Sequence, residues 1–150
     1  MATGQVSSIS GDTWQLISTT TLSGTTTTVS SLTGYKTLMV AVSGATKSSA
    51  AYMAMRVNGD TAAGNYGSNG GFESFFYLGG TVSGSDSGGA IIYDANQEAP
   101  HELKITGFDG TASGFSMYTN TTAITSISIT THNGTPTFTA GTVRVYGIAA

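Results

Sequence analysis

The stretch Ala123–Ile148, AITSISITTHNGTPTFTAGTVRVYGI, decides how the fold is read. Ile127 and Ile129 alternate with Ser126, Ser128 and Thr130, and Val143 and Val145 alternate with Thr142, Arg144 and Tyr146. A period of two marks strands with one buried face. Between the two runs, Asn133-Gly134, Pro136 and Gly141 supply the left-handed and fixed-φ positions that a chain reversal uses. The stretch is therefore expected to form a β-hairpin that closes the fold, with its last strand ordered up to the C-terminus. Nothing in it points to catalysis.

The same alternation recurs upstream. In Tyr35–Ser43 (YKTLMVAVS), Leu38, Val40 and Val42 share one face, and Met39 and Ala41 the other. Apolar residues on both sides predict a central strand covered twice, ended by Ser43-Gly44. Ala50–Val57 (AAYMAMRV) places Met53, Met55 and Val57 together and leads into an Asn58-Gly59 turn. Its Ala and Met content also suits a helix, but the alternation and the turn favour a strand. Trp14, Leu16 and Ile17 open a first strand, and the threonine-rich run after it fits an edge strand with a hydroxyl face. Further strands are expected around Ala90–Tyr93, Glu102–Phe108 and Phe115–Tyr118. The fold class that follows is all-β: an antiparallel β-sandwich, jelly-roll-like, of roughly eight to ten short strands. Residues 1–12 read as a flexible or docking N-terminal arm, and residues 13–150 as one β-sandwich domain. The expected core is Trp14, Leu38, Val40, Val42, Met53, Met55, Val57, Leu103, Ile105, Ile127, Ile129, Val143 and Val145.

Composition narrows the function. A chain of 150 residues suits a single core that buries about 70% of its unfolded surface. Only 9% of residues are charged, against roughly 25% in ordinary globular proteins, and hydroxyls take their place. Such a surface repels its neighbours weakly and suits a protein packed in an assembly. The net charge is −3 and the five basic residues are dispersed, so no nucleic-acid partner is expected. The chain has no cysteine, which excludes disulfides, thiolate chemistry and cysteine–zinc sites. The start, MATGQVSSIS, does not read as a signal peptide, and no apolar run of about 18 residues offers a membrane span.

Candidate chemistry is thin. Asn58-Gly59-Asp60 is the most site-like spot, but a Ca²⁺ ion takes about six or more oxygens, usually from several carboxylates, and Asp60 is alone there. A turn is the better reading, no metal or other cofactor is expected, and chelation should leave the melting temperature unchanged. His101 and Glu102 point to opposite faces of a strand, and His132 reads as a solvated turn residue. No G-x-S-x-G elbow or phosphate loop is present. A glycosidase needs two carboxylates about 5–9.5 Å apart, and nothing singles out such a pair among the eight acids. No catalytic residue is assigned. The aromatic segment Phe72, Phe75, Phe76 and Tyr77 is different. Adjacent strand residues face opposite ways, so Phe75 and Phe76 do not share one core. Either the strand is buried twice or one ring belongs to an interface, where aromatics are enriched. With few charges to block edge-to-edge pairing, the hydroxyl-bearing edge Thr25–Ser30, with Thr26 and Thr28, is the other candidate interface.

Three stretches carry a family resemblance. Arg56–Tyr66 (RVNGDTAAGNY) resembles the strand-then-loop pattern of small β-sandwich virion structural proteins of tailed bacteriophages. AITSISI…F…GTVRVYGI resembles their closing hairpin, and YKTLMVAVS fits the strand before the loop. They follow one another in the right order. The resemblance implies a non-enzymatic virion component located in the phage particle: a capsid decoration or cement protein on the outer head surface, or a tail fibre or tail-tip module that binds a receptor or glycan. Expected partners are the major capsid protein or other virion proteins, and further copies of the chain in a homo-oligomer such as a trimer. A chain complete at 150 residues, without a coiled-coil stalk, tilts the expectation from tail to head. In the tail reading, Tyr66, Phe72 and Tyr77 would stack on sugars.

Overall fold

The computed structural model describes residues 13–68, 71–81, 83–107 and 114–150. The proposed arm, residues 1–12, lies outside them. Among the described residues there is no helix, and the chain forms twelve strands. They are β1 (Gln15–Thr21), β2 (Thr26–Val29), β3 (Tyr35–Lys47), β4 (Met53–Val57), β5 (Tyr66–Ser68), β6 (Gly71–Glu73), β7 (Phe76–Tyr77), β8 (Asp86–Ile92), β9 (His101–Gly107), β10 (Gly114–Tyr118), β11 (Ile127–Thr131) and β12 (Phe138–Ala149). Two antiparallel sheets pack face to face. The larger runs β1-β12-β3-β8-β9-β10-β5-β6, and the smaller β2-β11-β4-β7. The all-β sandwich is as the alternation predicts, and the strands beyond eight to ten include the two- and three-residue pieces β5, β6 and β7.

The core lies between the sheets. Leu38, Val40 and Val42 of β3 and Val143 and Val145 of β12 face Met53, Met55 and Val57 of β4 and Ile127 and Ile129 of β11, all 4% exposed or less. Leu103 and Ile105 join them from β9. Burial of such side chains contributes about 1.5–3 kcal/mol each.

Three expectations are corrected. β11 and β12 do not form a hairpin. β11 pairs with β2 and β4, whereas β12 pairs with β1 and β3 in the other sheet. The Asn133-Gly134 turn does form, with Gly134 N–H donating to the Thr131 carbonyl at 2.9 Å, but the chain then crosses the sandwich. Alternation reports which face a strand buries, not which strand lies beside it, and two strands on opposite sheets bury toward the same core. Second, Ser43-Gly44 does not end β3. Gly44 takes a left-handed φ of 63°, the register with β8 shifts there, and the strand resumes to Lys47. This is a bulge, which bends a strand without stopping it. Third, Trp14 is not core: it is 40% exposed. The β1–β12 register slips between Leu16 and Ser18, so Ile17 packs on the core and Leu16, 56% exposed, turns outward.

Candidate functional site

The loop after β4 is a closed hydrogen-bond hub. Asn58 and Gly59 adopt φ of 53° and 66°, and Asp60 N–H donates to the Val57 carbonyl at 2.9 Å. Two successive left-handed residues make the tight turn for which Asn-Gly is suited. The Asn58 side chain then acts as a short piece of strand. Its Oδ1 accepts from the N–H groups of Thr125 (2.8 Å) and Ser126 (3.2 Å), and its Nδ2 donates to the Ala123 carbonyl. Asp60 receives the Ala62 N–H on Oδ1 at 2.8 Å. On Oδ2 it receives Asn65 Nδ2 at 2.6 Å, Tyr118 Oη at 2.8 Å and Asn120 Nδ2 at 3.4 Å. Burial pushes the Asp60 carboxyl up, but these donors outweigh it and hold the group below the ordinary aspartate value. Tyr66 is buried beneath the loop, takes the Val57 N–H on Oη and donates to the Asp60 carbonyl. Burial pushes its phenol up to about 12. Burial, then the Asp60 carboxylate, also raises Tyr118. The Asn58, Asp60 and Tyr66 side chains of RVNGDTAAGNY thus tie the loop to itself and to residues 118–126. Among the described residues no group of three or more His, Cys, Asp or Glu is placed to hold a metal ion.

His101 is fully buried. Its Nδ1 lies 3.1 Å from the Asp94 carbonyl and its Nε2 3.0 Å from the Thr122 carbonyl, tying two connections together, while Glu102 on the same strand is exposed. His132 is exposed, but its ring packs against Tyr52, Phe75 and Tyr77.

The aromatic segment splits as the strand period requires. Phe76, 1% exposed, points into the core against Tyr66, because it pairs with Met55 on the inward parity of β4. It is therefore no surface anchor. Phe75 and Tyr77 turn to the outer side of the smaller sheet, their rings in edge contact at 4.9 Å. Phe75 is only 7% exposed because Tyr77 and His132 cover it. Phe72 pairs with Gly67 on β6 at the margin of the larger sheet, and its side chain lies outside the described residues. Thr26 and Thr28 stand on β2, an edge strand of the smaller sheet. Their hydroxyls bond to Thr130 (3.0 Å) and Ser128 (2.8 Å), a ladder of cross-strand hydroxyl pairs.

Two features escape a sequence reading. One is a fully buried ion pair: Lys47 Nζ lies 3.1 Å from Asp86 Oδ2, and both side chains are 0% exposed. Lys47 also donates to the Gly80 carbonyl, and Ser87 N–H to Asp86 Oδ1. The sequence hint is the scarcity of charge itself, with Lys47 at the end of an apolar strand.

The other is the outer face of the larger sheet. The registers place Leu16, Tyr146, Met39, Ile91, Lys104 and Phe115 side by side across six strands. Every large apolar side chain that is well exposed among the described residues is on this face or at its margin: Trp14, Leu16, Tyr93 (37%), Phe115 (73%) and Met117 (45%). At its centre Gly89 and Ala41 open a shallow dish of about 350 Å³ bordered by Met39, Ile91 and Thr106. Gly89 has no room for a side chain, since a Cβ there would stand 2.5 Å from the Val40 carbonyl oxygen. The second cover expected for the central strand is not supplied by any described element.

No family model matches the sequence, and no curated protein matches it. Among solved structures the chain is similar to the exo-inulinase of Aspergillus awamori, at 16% identity and a TM-score of 0.51. The match covers 95% of this chain but only 30% of that one. Likeness at this identity shows the fold alone: an all-β sandwich of two antiparallel sheets.

Proposed function

We propose that the chain is a non-enzymatic virion structural protein, a capsid decoration or cement protein that assembles as a homo-oligomer on the major capsid protein or its neighbours. The observation that carries this reading is the outer face of the larger sheet, where Leu16, Phe115 and Met117 are exposed and Met39 and Ile91 half-buried in a chain of few charges. Contiguous exposed apolar patches of several hundred Å² mark interaction surfaces. In the loop that most resembles a site, the Asn58 and Asp60 side chains are taken up in structural hydrogen bonds to the loop itself and to neighbouring segments, which favours a scaffold over a catalyst. The test is location: the protein should sediment with tail-less heads, and recovery on purified tails instead would overturn the head assignment.

A tail module that binds receptor or glycan is the second reading. The exposed rings of Trp14, Tyr93 and Phe115 favour it, since aromatic faces can stack on sugars. The aliphatic side chains between them favour a protein contact, where Leu, Met and aromatics gather and charges thin out. Binding on a glycan array by the isolated protein would select this reading.

A further inference from the structure

We infer that the outer face of the larger sheet is covered by the same face of a second copy of this chain, across a two-fold axis lying along the row Leu16–Tyr146–Met39–Ile91–Lys104–Phe115. This rests on the assembly reading above and names the partner for that surface.

The face is self-complementary about that row. On one side stand Arg144, Ala41, Gly89 and Thr106; on the other, Ile148, Thr37, Tyr93 and Glu102. The two-fold exchanges these sides. It sets Tyr93 of each copy, an exposed ring at the end of β8, over Gly89 and the dish of the other. Two identical knob-in-hollow contacts result, which is the isologous pattern of a two-fold dimer. Charge fits the same axis. Arg144 meets Ile148 and Thr106 meets Glu102, so no pair of like charges is opposed outside the axis. Lys104 sits on the axis opposite the other copy's Lys104, the one like-charge pair, and the flexible chain of each lets it turn one row aside to the other copy's Glu102.

The area is also sufficient. With strands about 4.8 Å apart and same-face rows about 6.7 Å apart, six strands by three rows cover about 600 Å² in projection. That meets the lower bound of a specific interface, about 1,200 Å² in total over both partners. Two sheets packed in this way would form a four-layer molecule with aligned strands.

The test uses the full chain. Sedimentation equilibrium should give twice the 15.2 kDa of one chain. Tyr93→Asp should return the mass to 15.2 kDa while leaving the circular dichroism unchanged. Because the chain has no cysteine, Met39→Cys places one thiol per copy on the axis, where a short bismaleimide should link two chains; Thr28→Cys, on the opposite sheet, should not link. A wild-type monomer throughout the micromolar range overturns the inference. So does a dimer that survives Tyr93→Asp and links through Thr28→Cys. A monomer that still sediments with heads would leave the virion reading standing while this inference falls; a dimer found on neither heads nor tails would do the reverse.

Discussion

At the scale of single residues, Asp60 carries the most organisation per side chain. One carboxylate accepts four hydrogen bonds that join the β4 loop to Tyr118 and Asn120. Its folded-state value lies below the 3.8 of an unstructured aspartate, so folding favours the ionised form. That stabilisation is complete above the unfolded value and is lost as pH falls through the folded one. Asp60→Asn should therefore cost about 1–3 kcal/mol at neutral pH. The gap in melting temperature between wild type and variant should close on acidification below about pH 4. Thermal melts across pH check this; a gap that stays constant into acid would show that the charge is not what the donors hold.

The buried pair Lys47–Asp86 obeys a different rule. Removing one partner strands a charge in the interior and costs about 3–5 kcal/mol, whereas losing both costs far less than the sum. Lys47→Met, Asp86→Ala and the double variant form the cycle, read by urea denaturation. Additive losses would mean that the two side chains do not depend on each other.

At the scale of elements, β11 is the keystone of the smaller sheet. It lies between β2 and β4, and Ile127, Ser128, Ile129, Thr130 and Thr131 are all buried. Its apolar side chains fill the core, and the hydroxyls of Ser128 and Thr130 are engaged by β2. Ile129→Ala should destabilise by about 2–5 kcal/mol, the range for large-to-small changes at buried sites. Equilibrium unfolding measures it, and a loss under half a kilocalorie would contradict the 0% exposure of Ile129. β8 shows a second kind of constraint. A Cβ on Gly88 would stand 1.9 Å from the Leu78 carbonyl oxygen, so the glycine pair in DSGGAII is where neighbouring backbones press in from both sides.

At the scale of the whole molecule, the two outer faces differ in character. The smaller sheet shows hydroxyls paired along β2 and β11 and a self-covered aromatic group, Tyr52, Phe75, Tyr77 and His132. The larger sheet shows uncovered aliphatic and aromatic side chains. Association through the larger sheet should depend on apolar burial more than on charge. The dimer mass should therefore persist when ionic strength rises from about 0.1 to 1 M, although the Debye length falls from about 10 to 3 Å. Dissociation by salt alone would point to a charged contact elsewhere.

Although it did not assign the equally buried Leu22, Leu32, Tyr66, Leu78 and Tyr118, the sequence by itself determined the class of fold, the identity of most strands and twelve of the thirteen residues expected in the core. Those properties are written in the local period of two and in turn residues such as Asn58-Gly59. It also showed that Phe75 and Phe76 face opposite ways, for the same local reason. It could not tell that β11 and β12 belong to different sheets, because pairing is a contact between distant segments and alternation is silent about partners. Nor could it tell on which side of β1 Trp14 falls, because one extra residue at the bulge reverses the parity. The buried Lys47–Asp86 pair and the row from Leu16 to Phe115 were decided by tertiary structure alone. The pair spans two strands far apart in the chain, and the row is assembled from six.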